Sequence, residues 1–134
     1  MPLDQLAPGL TGALASGPMG VHLGEIVIDC ADPRPLAEFW SAATGYEIDE
    51  PGSEEWMSLH DPEGKDVSIA FQRVPEPKVV KNRVHIDLYT PEEEQEAARI
   101  EALGAKRLWV SDKPEDPFIV LADPEGNEFC VCRE

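Results

Sequence analysis

The sequence predicts an α+β fold: two βαβββ modules that build a curved, eight-stranded mixed sheet around a pocket. Three observations carry this. The order strand, helix, strand, strand, strand occurs twice along the chain. A shift of 60 residues lays Glu25 on His85 and Gly45 on Ala105, and a shift of 62 lays Asp61-Pro62-Glu63-Gly64 on the identical Asp123-Pro124-Glu125-Gly126. The two-residue difference needs only a small indel in a loop. Finally, a single such module has a half-buried sheet and cannot cover its own apolar face, whereas two laid side by side can enclose a trough.

In the first module, Glu25 to Cys30 (EIVIDC) is β-branched and apolar, as a buried strand requires. Asp32-Pro33 is a helix-start signal, with a capping residue followed by proline. Leu36, Phe39, Trp40 and Ala43 then fall at helical spacing, and Gly45 ends the helix. Tyr46 to Ile48, Trp56 to His60 and Val67 to Val74 read as strands, the last two separated by the turn Asp61 to Gly64. A proline-stiffened linker, PEPK, follows.

The second module repeats the order. Arg83 to Tyr89 is a strand, and Pro91 to Leu103 is a helix that opens on three glutamates and carries Ala97, Ile100 and Leu103 as its apolar stripe. Gly104 stops it. Lys106 to Val110, Phe118 to Ala122 and Asn127 to Cys132 are the closing strands, with the second turn, Asp123 to Gly126, between the last two. The expected organisation is a flexible Gly/Pro-rich arm over residues 1–20 and one domain over 21–134, with module 1 at about 22–75 and module 2 at about 83–132.

Composition excludes several function classes. The 134 residues fit one domain, and 42% hydrophobic with 28% charged is an ordinary globular balance. A net charge of −16 argues against nucleic acid and against an anionic membrane surface, both of which are met by basic faces. No apolar run has the length of a membrane span, and the first residues lack the basic start of a signal peptide. Three cysteines (Cys30, Cys130 and Cys132) in no regular framework suggest reduced thiols and a cytoplasmic location.

VIDCADPRPLAEFWSAATGYEI places an Asp before a helix, an aromatic pair seven and eight residues on (Phe39, Trp40), and Gly45 at the helix end. With VHIDL, ALGA and DPEGNEF in the second half, it resembles the vicinal-oxygen-chelate superfamily of glyoxalases, bleomycin-resistance proteins and extradiol dioxygenases. The resemblance spans Leu23 to Val131 and is greatest to the small glyoxalase-like proteins. It implies a homodimer. It also implies four metal-ligand positions, which fall on Glu25, on Ala70 or Gln72, on His85, and on Cys130. Ala70 has no donor atom, and Cys130 replaces the usual glutamate.

Strand parity adds Val27, Asp29, Asp87 and Tyr89 to the face that carries Glu25 and His85. The aspartates would be costly there if buried without partners. Trp56 shares its strand face with Ser58 and His60. The expected ligand-binding set is therefore Glu25, Asp29, Trp56, Gln72, His85, Asp87, Tyr89 and Cys130. Two readings follow. One is a pocket that binds or transforms a partly apolar metabolite or natural product without the full metal site. The other is a metal-dependent lyase, isomerase or dioxygenase that holds a divalent ion through Glu25 and His85. A trough filled by its own side chains would instead mark a subunit that works only through contacts.

Overall fold

The computed structural model describes residues 20–134; the amino-terminal arm expected over 1–20 lies almost wholly outside them. The chain runs β1 (Glu25–Cys30), α1 (Pro33–Thr44), β2 (Glu47–Ile48), β3 (Trp56–His60), β4 (Ser68–Arg73), β5 (Ile86–Thr90), α2 (Glu93–Ala102), β6 (Lys106–Val110), β7 (Phe118–Ala122) and β8 (Glu128–Arg133). The two βαβββ modules are thus present, each as a four-stranded mixed sheet with one helix. The strand orders are β1-β4-β3-β2 and β5-β8-β7-β6. The first strand of each module runs parallel to the last, and the other pairings are antiparallel.

The registers show how strictly the repeat is kept. Glu25 pairs with Ser68 and Ile86 with Phe129, the same offset in both modules. Trp56 pairs with Gln72, and Phe118 with Cys132. Ala70 therefore occupies in module 1 the place of Cys130 in module 2, and Val27 the place of Asp87. That resolves the sequence alternative between Ala70 and Gln72 at the closing position in favour of Ala70.

One face of each sheet packs against the helices. Leu36, Ala37, Phe39, Trp40 and Ala43 of α1 and Ala97 and Ile100 of α2 join Ile69, Phe71, Ile119, Leu121, Phe129 and Val131 in a single core that crosses both modules. Phe129 packs edge-on against Phe39 and Trp40, with ring centroids 6.2 and 4.9 Å apart. At about 25 cal/mol per Å² of apolar area, each of these rings is a principal contributor to the core.

Polar bonds close the same seam. Trp40 Nε1 donates to Asp123 Oδ2 at 3.0 Å, and Arg99 of α2 donates to the carbonyls of Ala42 and Ala43 at the end of α1. Asp32 does stand at the cap position of α1, but its side chain makes no capping bond. The carboxylate of Glu125, from the second-module turn, accepts from the N–H groups of Ala31 and Asp32 just ahead of the helix, at 2.7 and 2.8 Å. Gly45 ends α1 as expected: its φ of 82° is left-handed, and its N–H reaches Ser41 O. The helices are otherwise displaced by a residue or two from the sequence reading, and β5 begins at Ile86, just after His85.

Candidate functional site

The faces turned away from the helices form the candidate site. On the first sheet, Glu25, Val27 and Asp29 of β1 lie beside Ser68, Ala70 and Gln72 of β4, with Trp56 and Ser58 of β3 beyond. On the second, Asp87 and Tyr89 of β5 lie beside Cys130 and Cys132 of β8, with Phe118 and Val120 of β7 next. The middle of each face is closed: Ala70 is fully buried between Val27 and Ser58, and Val120 is buried too. The flanks stay open. Tyr89 is 65% exposed, Val27 is exposed, and Trp56 is half-buried.

Two clefts of about 610 and 580 Å³ are lined by residues of both modules, and Ile26 and Ile86, equivalent positions of the repeat, line both. Asp29 and His85 line the first cleft, together with Lys78, Lys81 and Arg83 of the linker. Asp87 and Tyr89 line the second. Glu25, Trp56, Gln72 and Cys130 line neither.

Of the residues expected from the sequence, three come together. Donor atoms of His85, Asp87 and Cys130 lie within 4.8 Å of one another, and His85 Nε2 is 3.2 Å from Asp87 Oδ1. Glu25 stands outside this cluster, exposed at the start of β1. Asp29 and Asp87 are both exposed, so water meets the cost that burial would have imposed. Burial, with Asp87 adding to it, pushes the Cys130 thiol up to about 11, so the free thiol is protonated and inert at neutral pH. Burial likewise pushes Cys30 up to about 12.

Of the four positions expected from the resemblance to ligate a metal, Ala70 carries a methyl group and Cys130 a thiol, while Glu25 carries a carboxylate and His85 an imidazole.

Sequence reasoning passed over two features. Trp109 lies on the open face, opposite Val120, 54% exposed and packed edge-on against Phe118 with centroids 5.3 Å apart. Simple alternation from Lys106 would turn Trp109 to the helix side. A bulge between Arg107 and Trp109 reverses the parity, and no residue in KRLWV announces it. The second feature is a polar cluster at the end of the first sheet. Asp49 accepts from Ser58 Oγ at 2.8 Å and meets His60 Nδ1 at 2.6 Å, while Glu47 sits 3.4 Å from His60 Nε2. The Asp49 hydrogen bond raises the His60 pKa. The alternation of WMSLH put Ser58 and His60 on one face, but a carboxylate from outside the strand could not be foreseen.

Residues 25–132 match the family model of the glyoxalase-like domain. Similar solved structures include a glyoxalase/bleomycin resistance protein/dioxygenase family enzyme from Burkholderia phytofirmans PsJN: 20% identity, TM-score 0.69, covering 84% of this chain and 98% of that one. Fosfomycin resistance protein FosX from Mesorhizobium loti is 13% identical at a TM-score of 0.66, with 84% and 92% covered. A FosX mutant from Listeria monocytogenes, complexed with Mn(II) and a dihydroxypropylphosphonic acid, is 14% identical at 0.67, with 83% and 87% covered. At these identities the likeness is one of fold. No curated protein matches the sequence.

Proposed function

The chain belongs to the glyoxalase-like domain family, and on that premise we propose that residues 21–134 act as one small-molecule pocket domain that binds or transforms a partly apolar metabolite or natural product. The ligand lies on the trough faces, without the oxygen-rich, four-ligand metal centre. The observation that carries this is the pattern of side chains on those faces. Small residues floor the middle (Ala70, Ser58, Ser68), aromatics stand at the flanks (Trp56, Tyr89, Trp109), and a few polar groups (Asp29, Gln72, His85, Asp87) can fix orientation.

The same uncovered faces favour a homodimer. Val27, Tyr89 and Trp109 are all exposed there, and a second copy of the chain would shelter them and deepen the trough. Three free cysteines fit a reducing, cytoplasmic setting. Among the described residues no helix is long and apolar enough to cross a membrane.

A second reading is a metal-dependent lyase, isomerase or dioxygenase that uses Glu25 and His85; the donor cluster of His85, Asp87 and Cys130 supports the His85 half of it, while Glu25 stands outside that cluster. The experiment that separates the two is ligand screening by thermal shift on chelator-treated protein. The pocket reading expects stabilising ligands without metal, and His85→Ala then weakens such a ligand by about 1–3 kcal/mol, the cost of an unpaired polar contact. Ligand binding that appears only after divalent ions are restored would favour the second reading.

A further inference from the structure

β1 is the outermost strand of its sheet, and one of its edges is left unpaired. The direction of its peptide groups follows from a single bond. Val74 N–H donates to Cys30 O at 2.9 Å, so Cys30 faces β4, and with it Ile28 and Ile26 in the parallel ladder. The N–H and C=O groups of Val27, Asp29 and Ala31 therefore point to the free edge. There the Glu125 carboxylate accepts from Ala31 N–H at 2.7 Å. Among the described hydrogen bonds, the peptide groups of Val27 and Asp29 have no partner. The cleft of about 610 Å³ runs along this edge, because residues of both faces of β1, from Ile26 to Cys30, line it. An uncovered strand edge is a template for another extended backbone.

The charges along the cleft select what that backbone carries. Of the carboxylates that line it, Glu125 is held by the N–H groups of Ala31 and Asp32, and Glu128 by Lys78 at 3.5 Å. Lys81 and Arg83 on one side of the account, and Asp29 and Glu76 on the other, make no ion pair among the described residues, although all four line the cleft. Two unpaired cations and two unpaired carboxylates match a ligand with a charge of each sign, whereas a net anion would meet the field of a chain at −16. Ile28, Val74, Val80 and Val84 add apolar wall. At a rise of about 3.3 Å per residue, the outward peptide groups of Val27 and Asp29 stand about 6.6 Å apart, which spans three residues of a paired strand. Glu125 closes the edge beyond them at Ala31. We propose that this cleft binds a short, zwitterionic peptide with aliphatic side chains as an added strand on β1. Its amides pair with Val27 and Asp29, its carboxylate meets Lys81 and Arg83, and its ammonium meets Asp29 and Glu76. The site lies on a strand edge, goes beyond a ligand on the trough faces and does not rest on that reading.

Trivaline tests the proposal. The full chain, labelled with ¹⁵N, is titrated with the free peptide and followed by ¹⁵N–¹H correlation spectra. The expected result is saturable binding of one peptide per chain at millimolar concentrations, with downfield shifts and slowed exchange of the Val27 and Asp29 N–H protons. Trivaline amidated at its carboxyl end, or acetylated at its amino end, should bind more weakly by about tenfold, the scale of a lost hydrogen bond to a charged group. An analogue with esters in place of its amides should also bind more weakly, because it cannot donate to the edge. Lys81→Ala combined with Arg83→Ala should weaken the free peptide likewise and bring it level with its carboxyl amide. Both side chains are exposed, and the same spectra report whether the variant is folded. No binding of trivaline, shifts that leave Val27 and Asp29 unmoved, or equal binding of the four peptides would each overturn the site. Tighter binding of a peptide blocked at both ends would assign the edge to an internal segment of a protein and overturn it too. A screened ligand that maps to the trough faces of a protein indifferent to trivaline removes this site alone; trivaline bound at the edge with no ligand on the trough faces removes the pocket reading alone.

Discussion

Replacing Asp123 with Ala tests whether the two modules are locked by a buried polar bond. The two turns have identical sequences, Asp-Pro-Glu-Gly, but among the described residues only the second is tied to the other module. Asp123 is 4% exposed. Its carboxylate accepts from Trp40 Nε1 at 3.0 Å, from the N–H groups of Glu125 and Asn127 at 2.9 Å, and from Asn127 Nδ2 at 3.1 Å. Asp123→Ala leaves the Trp40 N–H without its acceptor at a site where Trp40 is 1% exposed. An unsatisfied buried donor costs about 1–3 kcal/mol, and the lost turn bonds bring the total to about 3 kcal/mol. With a urea m-value of about 1.5 kcal/mol/M, the unfolding midpoint should fall by about 2 M. Asp61 makes the same kind of turn bonds, to the N–H groups of Glu63, Lys65 and Asp66, yet among the described hydrogen bonds it has no partner in the other module. Asp61→Ala should move the midpoint clearly less. Equal shifts for the two variants would refute the argument, because local turn chemistry would then account for both.

Phe129→Ala should destabilise by about 3–5 kcal/mol in the same urea assay, as it opens a cavity beneath Phe39 and Trp40 where the modules meet. His60 should titrate above its ordinary value of 6.5 by NMR, and Asp49→Asn should lower the midpoint. Because the folded pKa is raised, the stability this contact contributes is fully present below the unfolded pKa and is lost as pH rises through the folded one. Trp109→Ala should weaken any ligand that reaches the second-sheet face by about 1–3 kcal/mol in calorimetry, the range for removing a large buried contact, with the urea midpoint little changed.

The repeat was legible because it is written twice, in turn residues and in strand period. The paired glycines, Gly64 and Gly126, each end a turn at positive φ, and that shared demand keeps the two sequences alike. The core was legible for a similar reason: Leu36, Phe39, Trp40 and Ala43 can share a stripe only on a helix. The sequence did not reveal what depends on contacts between distant segments. Nothing local to Asp32 says that its backbone N–H goes to Glu125, and nothing local to Trp40 says that Asp123 receives its N–H. The bulge that turns Trp109 outward is a backbone event with no residue signature. The cluster on the second sheet was half visible. Strand parity put His85 and Asp87 on one face, and Cys130 entered only as a position the resemblance implies; the direct pairing of Asp87 with Cys130 needed the register.

Binding of a small molecule on the trough faces is tested by a ¹⁵N–¹H chemical-shift map of chelator-treated protein with a ligand found by screening. Perturbations should converge on Asp29, Trp56, Gln72, His85, Asp87 and Tyr89 and spare the solvent side of α1 and α2. Perturbations confined to the helices, or a complete lack of ligand in the absence and presence of divalent ions, would contradict it.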